Sequence, residues 1–294
     1  MSKALLSAAP RLPPRERDWE LCTTDRPEFD QMDLWQLLRT EAQAFAQSEP
    51  VLGSYFHASI LNHHSFSSAL SFHLASKLDN PTLPSIFIRE VIEEALKSNE
   101  HISRAAQIDI IATQARDPAC VHFSTPFLFY KGFHALQAYR VAHWLWQNGR
   151  ETLARFIQNQ ISASLGVDIH PAARIGCGIM LDHATGIVIG ETAVVEDDVS
   201  ILHSVTLGGT GKQVGDRHPK IRRGVLLAAG CKVIGNIVVG EGAKVGAGSV
   251  VLHDVPPHVT VAGVPAREVG QVSGETPAFD MDHSIDDVAP ADAR

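Results

Sequence analysis

Cysteine is scarce. The chain has four in 294 residues, at positions 22, 120, 177 and 231, with no Cys-x-x-Cys pair among them. Such scatter argues against a disulfide framework and against a cysteine-based zinc site, and leaves Cys22, Cys120, Cys177 and Cys231 to be read as buried free thiols. Long apolar runs are also missing: none approaches the roughly 18 residues of a membrane-spanning helix. The start of the chain offers only Ala4-Leu5-Leu6 before Pro10, too short for a secretory core. The expectation is a cytoplasmic protein without membrane contact. Positive charge is the minority, with 25 Lys+Arg against 33 Asp+Glu and a net charge of −8, which speaks against a nucleic-acid partner.

Aromatic residues are absent from one whole region. The chain has 12 Phe, 4 Trp and 3 Tyr, yet none lies between Gly166 and Gly270, a stretch that holds 18 of the 22 glycines. Phe279 is the only aromatic beyond Phe156. This break in composition divides the chain into an N-terminal helical domain (1–165), to which the resemblance given below assigns oligomerisation, a glycine-rich domain (166–270) and an acidic tail (271–294), expected to be solvated and mobile. Within the first part, Phe29 to Ala46 places Met32, Leu34, Trp35, Leu38, Ala42 and Phe45 near helical spacing. Pro84 opens a helix through Ile86, Ile88, Val91, Ile92, Ala95 and Leu96, with glutamates in its early turns. Phe129 to Trp146 reads as one apolar, aromatic helix, and several such helices pack as a bundle.

The second part has a period of six. Stepping from Ile169 gives Ile175, Leu181, Ile187, Ala193, Val199 and Val205, all apolar; stepping from Ile221 gives Leu227, Val233, Val239, Val245 and Val251, again all apolar. A six-residue repeat rich in glycine and β-branched residues is the signature of a parallel β-helix, in which each unit is a short strand plus a corner. The fold class is therefore α+β, a helical domain followed by a β-helix. The interval from Val205 to Ile221 is not a multiple of six, so a loop leaves the helix between about 208 and 220. A loop that interrupts a strict repeat is where function sits on such a scaffold.

The residues able to do chemistry are histidines with acidic neighbours. Asp182-His183 lies in MLDHATG, Asp168 in VDIHP and Arg217-His218 in the loop. A neutral imidazole at His183 can take a proton from an alcohol during attack, an effect on the order of 10²–10⁴-fold. A carboxylate such as Asp168, less than one coil away, can hold the imidazole in the required tautomer. Hydrogen-bonded corner groups are the alternative reading of the same residues. A second alternative takes His183, His203 and His218 as zinc ligands from neighbouring coils. GGTGK lacks the Walker spacing, because Lys212 is followed by Gln213, and a nucleotide-hydrolase reading is poor.

The runs DIHPAARIGCGIMLDHATGIVIGETAVVEDDVSILHSVTLGGTGKQVGDRHPKIRRGV and GNIVVGEGAKVGAGSVVLHDVPPHVTVAGVPAR, with the upstream RDPACVHFSTPFLFYKGFHALQAYRVAHWLW, resemble the serine O-acetyltransferases over roughly residues 30–270. That resemblance implies a left-handed β-helix, against the usual handedness of parallel crossovers. It also implies acetyl transfer from acetyl-CoA to the L-serine hydroxyl, the first step of cysteine biosynthesis from serine, with no metal. By the same resemblance His183 is the general base and Asp168 its orienting partner. Asp117 and Asp182 would hold the substrate ammonium, Arg217 and His218 its carboxylate, and Glu191 would line the pocket. Gly209, Ala229, Lys244, Ala247 and Arg267 would line the acetyl-CoA groove. The implied assembly is a homotrimer or a hexamer formed as a dimer of trimers, with L-cysteine as an inhibitor in the serine site. An O-acetylserine sulfhydrylase partner, captured through a C-terminal Ile, is expected only in weakened form. Here Met281-Asp-His-Ser-Ile285 resembles that ending, but nine residues follow it. Homoserine or sugar O-acetyltransfer, a γ-carbonic-anhydrase-like zinc enzyme and a non-catalytic binding protein are the competing readings.

Overall fold

A computed structural model describes residues 32–211, 214–272, 274 and 276–285. Cys22, the Phe29 start of the first expected helix, Lys212, Gln213 and the last nine residues lie outside the described residues. Cys120, Cys177 and Cys231 are buried, and none forms a disulfide among the described residues.

The helical part contains α1 (Leu34–Ser48), α2 (Gly53–Phe56, running into a wide turn at His57–Leu61), α3 (Phe66–Lys77), α4 (Ser85–Ser98), α5 (Glu100–Arg116), α6 (Ser124–Phe129), α7 (Lys131–Gln147) and α8 (Glu151–Leu165). Short polar residues open several of them. The side chains of Asp33, Ser65 and Asn99 accept from the backbone N–H of Gln36, Ser68 and His101, satisfying donors that the first turn leaves unpaired. The single helix expected from Phe129 to Trp146 is interrupted. Tyr130 is extended (φ −88°, ψ 110°) between α6 and α7. That break lets its hydroxyl leave the bundle, for a reason given below.

Gly166, at φ 69°, ends α8. A left-handed glycine stops a helix at no steric cost. Beyond it the chain forms a parallel β-solenoid of about five turns with three faces. The first face stacks β1 (Val167–Ile169), β4 (Ile187–Ile189), β7 (Thr206–Gly208), β10 (Lys232–Ile234) and β13 (Val250–Val251). The second stacks β2 (Arg174–Ile175), β5 (Val194–Val195), β8 (Lys220–Ile221) and β11 (Val238–Val239). The third stacks β3 (Met180–Asp182), β6 (Ser200–Leu202), β9 (Leu226–Leu227), β12 (Lys244–Val245), β14 (Val259–Gly263) and the antiparallel β15 (Ala266–Gln271).

The register shows two insertions, not one. Val188 pairs with Thr206 and Lys232 with Val250. Each of these intervals is one regular coil of three six-residue units. The interval between the paired Val167 and Ile187 is longer by two, and that between Thr206 and Lys232 longer by eight. The larger excess is the expected loop after β7. The smaller falls between Leu181 and Ile189, within LDHATG. The step of six from Ile169 passes over it without a break because two positions per unit face inward. Ile187, Ala193, Val199 and Val205 sit two positions before the inward Ile189, Val195, Ile201 and Leu207, and all eight are buried.

The helical part grips the solenoid through buried, paired charges. Arg140 Nη2 donates to Asp109 Oδ2 (2.7 Å) and to Gly176 O (2.8 Å), while Asp109 Oδ1 accepts from the Ile179 N–H (2.9 Å). Buried charges need such pairing, since desolvation otherwise costs several kcal/mol per ion. The tail differs from its expected solvated course. A short helix α9 (Pro277–Asp280) packs on the solenoid, with Ala278 fully buried, and Lys244 Nζ donates to the carbonyls of Asp282 and Ser284 (3.1 and 2.6 Å). Among the described residues no helix is long and apolar enough to cross a membrane.

Candidate active site

The two inserted residues form a strained corner between the third and first faces. His183 (φ 54°) and Ala184 (φ 59°) are consecutive non-glycine residues in the left-handed region. That conformation costs roughly 1–2 kcal/mol per residue. The turn is held by its neighbours: the Gly186 N–H donates to Gly166 O (2.7 Å), and Lys131 Nζ at the start of α7 meets Thr185 Oγ1. The result projects the His183 side chain, 75% exposed, outward. Its Nε2 lies 3.7 Å from Asp182 Oδ2, and its ring meets that of His203 on the next coil edge-on, centroids 5.9 Å apart. His203 Nδ1 is buried and without a hydrogen-bond partner among the described residues.

The helical domain delivers a second carboxylate to this corner. Asp117, at the end of α5, accepts from the Tyr130 hydroxyl at Oδ2 (2.8 Å) and from the Ala119 N–H at Oδ1 (2.8 Å). Burial, then the hydrogen bond and charge of Asp117 and the charges of Cys120 and Asp182, push the Tyr130 phenol above its ordinary range. Two carboxylates, a phenol and an imidazole thus share one corner. Such a set suits a cation beside a proton acceptor.

The same edge continues as a column. Ser204 N–H donates to Thr185 O, Gly230 N–H to His203 O, and Gly248 N–H to Ala229 O, so His183, His203, Ala229 and Ala247 lie on successive coils at one corner. With coils about 4.8 Å apart, the edge runs on the order of 14 Å beyond His183.

The next corner, between the first and second faces, carries the other half of the expected site. Arg217 Nη2 donates to Glu191 Oε2 (2.6 Å). The loop returns through the Arg217 and His218 N–H groups, which donate to Thr192 Oγ1 (3.0 and 3.1 Å). The Thr192 N–H in turn donates to His218 Nδ1 (3.2 Å). Nδ1 is therefore the acceptor, and the neutral ring carries its hydrogen on Nε2. Burial, reinforced by the Arg217 charge, lowers the His218 pKa and favours the neutral ring. Burial alone would raise the Glu191 carboxyl, but the Arg217 hydrogen bond and the His170 and Arg217 charges outweigh it and hold it below the usual range. Gly190 leaves room for the ring: a Cβ there would lie 2.1 Å from His218 Cδ2 and Nε2. Gly209 belongs to this corner too, packed near Arg217 and His218.

Asp168 lies on β1 in the face between the two corners and accepts from Gln158 Nε2 of α8 (2.7 Å). Among the described residues no hydrogen bond or ion pair joins it to His183 within the chain; the paired carboxylate there is Asp182. His183 and His203 share one corner and His218 occupies the next, so the three histidines weighed for zinc do not converge within one chain. No group of three or more possible metal ligands occurs among the described residues. Lys244 is covered by the tail, and Arg267 is exposed on β15. Tyr130, Thr192 and Gln158 were not picked out by spacing, and His203 was weighed only as a zinc ligand. Tyr130 and Gln158 belong to the helical part, outside the repeat, and Thr192 acts through a loop return that no repeat encodes.

A helical domain joined to a hexapeptide solenoid, with an exposed imidazole on a corner column and a salt-linked loop on the next, defines an acyltransferase of the hexapeptide class. The family model for the bacterial transferase hexapeptide (six repeats) matches residues 218–253, and that for the serine acetyltransferase N-terminal region matches residues 34–138. The chain is 60% identical over 255 residues to the serine acetyltransferase of Salmonella typhimurium, covering 87% of this chain and 93% of that one, and 59% identical to that of Escherichia coli K12 over the same shares. The crystal structure of serine acetyltransferase from Vibrio cholerae superposes with a TM-score of 0.85 at 61% identity, covering 85% of this chain and 97% of that one. A serine acetyltransferase complex with cysteine superposes with a TM-score of 0.84 at 57% identity (86% and 98%), and a complex with CoA with 0.78 at 58% identity (81% and 99%). The chain belongs to the serine acetyltransferase family.

Proposed function

We propose that the protein transfers acetyl from acetyl-CoA to the hydroxyl of L-serine, giving O-acetyl-L-serine and CoA, in a site completed by a second copy of the chain. The observation that carries this is the division of the site between two corners. Serine carries an ammonium, a carboxylate and a hydroxyl within a few ångströms. The ammonium and proton acceptors lie on one corner and the carboxylate donors on the next. Strand β4, at about 3.3 Å per residue, holds them some 10 Å or more apart. A three-fold arrangement sets the His183 corner of one protomer against the Arg217 corner of its neighbour, and the helical domains are assigned to pairing such trimers into a hexamer.

In that site Asp117 and Asp182 take the ammonium. The Arg217 guanidinium and the His218 Nε2–H take the carboxylate, with Glu191 fixing the arginine. His183 accepts the hydroxyl proton as serine Oγ attacks the thioester carbonyl. The tetrahedral intermediate then collapses, the C–S bond breaks, and the leaving sulfur receives that proton from the imidazolium. Asp182, beside the ring, stabilises the cation, and Asp168 is assigned to orienting the imidazole in the assembled trimer. The pantetheine arm follows the Ala229 and Ala247 column, where small residues permit close approach; Gly209, Lys244 and Arg267 are assigned to the same groove. L-Cysteine, with the same ammonium and carboxylate and a sulfur in place of oxygen, competes for this site; the relative solved with cysteine supports that reading.

The test is thiol release from acetyl-CoA in the presence of L-serine, with homoserine and sugars as controls. Wild type releases CoA with serine. His183→Ala lowers kcat on the order of 10²-fold or more. A rate near wild type in that variant overturns the role of His183, and preference for homoserine or a sugar overturns the substrate.

A further inference from the structure

Asp117 is the one proposed substrate ligand that the solenoid does not carry, so something must fix it against the solenoid. The residue before it does so. Arg116 closes α5 with a side chain that is 0% exposed. Its Nη1 donates to Gly178 O (2.9 Å) and Ser200 Oγ (3.2 Å), and its Nη2 to Asp198 Oδ1 (3.3 Å). Asp198 is shared with Arg223 Nη2 (2.8 Å), which locks the acceptor in turn. The other side of the guanidinium is covered by the tail: Arg116 Cζ lies 4.1 Å from the centre of the Phe279 ring. The α9 turn that presents Phe279 is pinned to β6 and to the turn before β9, since Ser200 Oγ donates to Ala278 O (2.8 Å) and the Ala278 N–H to Gly224 O (3.3 Å).

We propose that Arg116 is a positioning residue for the substrate site and that Phe279 of the tail is the lid that holds it. Clamped between the Gly178/Asp198 corner and the Phe279 ring, Arg116 fixes the end of α5. That sets where Asp117, one residue on, presents its carboxylate to Tyr130 and to the corner of Asp182. The tail thereby acts on the amino-acid half of the reaction. This inference rests on the serine reading of Asp117 given above.

Phe279 is the informative position to change. Phe279 is 45% exposed, and Arg116 keeps its solenoid partners without it, so Phe279→Ala folds. The variant wets the guanidinium and loosens the end of α5. The expected result is a rise in the KM for L-serine of roughly two- to five-fold, the range of a lost half-exposed cation–aromatic contact. The KM for acetyl-CoA, kcat and Tm stay close to wild type. Phe279→Trp restores the wild-type value, because the ring and not the tail's mere presence is what acts. Arg116→Lys keeps the charge but loses the fork and raises the serine KM further. Combining Phe279→Ala with Asp117→Asn gives no rise beyond Asp117→Asn alone, as required if Phe279 works through Asp117.

Three outcomes overturn the proposal. The first is an unchanged serine KM in Phe279→Ala. The second is a change confined to the acetyl-CoA KM, which would make the tail a cover for the groove at Lys244. The third is full additivity with Asp117→Asn. A wild-type enzyme that fails to acetylate serine refutes the activity itself, a result read from the same assay before any variant is made.

Discussion

Alanine at position 190 reports on the carboxylate side of the site while leaving every polar residue in place. A Cβ built on Gly190 falls 2.1 Å from Cδ2 and Nε2 of His218 and 2.9 Å from its Cε1. Real Cβ atoms do not approach so closely, so the ring must move. It is not free to do so cheaply, because His218 Nδ1 is held by the Thr192 N–H (3.2 Å) and lies 2.9 Å from the Thr192 hydroxyl. Displacing the ring forfeits these bonds and turns Nε2–H away from the substrate carboxylate, a hydrogen bond to a charged group of about 2 kcal/mol. That loss corresponds to a roughly 30-fold higher KM for L-serine, since each 1.4 kcal/mol is about tenfold. The KM for acetyl-CoA rises less than that for serine, because the Ala229 and Ala247 column stands on another corner and only Gly209 of the proposed groove lies beside His218. Initial rates over a serine series at saturating acetyl-CoA measure this, with circular dichroism to confirm the fold. Gly190→Ala in a His218→Ala background is the control: with the ring gone, the added methyl meets open space and costs nothing more. A folded Gly190→Ala enzyme with a wild-type serine KM would refute the role of the His218 ring.

Further outcomes follow from the same packing. Gly132→Ala drives a Cβ to 2.1 Å from the Leu181 backbone oxygen, which cannot yield as a side-chain tip can; α7 must lift from β3, and both Tm and kcat fall together. Burial, assisted by the charge of His134, pushes His73 down to about 2, and burial pushes His134 down to about 4, so both rings stay neutral in the folded bundle. The unfolded chain protonates them near pH 6.5, hence it binds more protons than the native state below that pH. The stability they leave intact above pH 6.5 is lost as pH falls toward about 4, on the order of 3 kcal/mol for His134 alone. Thermal melts between pH 7 and 4.5 show the decline, and His73→Phe flattens it; an unchanged slope in that variant would exclude this histidine as a cause. Tyr130→Phe removes the hydroxyl from Asp117 and raises the serine KM several-fold with little change in Tm, read in the same coupled assay.

The sequence made the scaffold legible because the repeat is a one-dimensional consequence of packing. Each buried aliphatic residue recurs once per face, and Ile221 through Val251 keep the step of six without error. The same redundancy hid the proposed catalytic corner. With two inward positions per unit, an insertion of two merely exchanges one buried column for the other, so His183 looked like a member of a regular coil. It is the bulge that leaves the coil. The helices were legible where their apolar faces repeat, and Tyr130 was missed because nothing in FLFYKGF marks a stop; the hydrogen bond to Asp117 decides the break from outside. The proposed site residues could be named by type and by resemblance, but their placement on separate corners could not. Asp168 and His183, less than one coil apart in sequence, suggested a local pair, yet one is tied to α8 and the other stands over Asp182. A solenoid turns neighbours in sequence onto different edges and brings residues more than a coil apart, such as Thr192 and His218, into contact. On such a scaffold half-sites on adjacent edges of one chain can meet only by symmetry. The separation of His183 from Arg217 is therefore itself an argument for the trimer: an enzyme of this chain that stayed monomeric would bind neither the whole serine nor the whole cysteine, and dilution below the assembly threshold should abolish turnover and inhibition together.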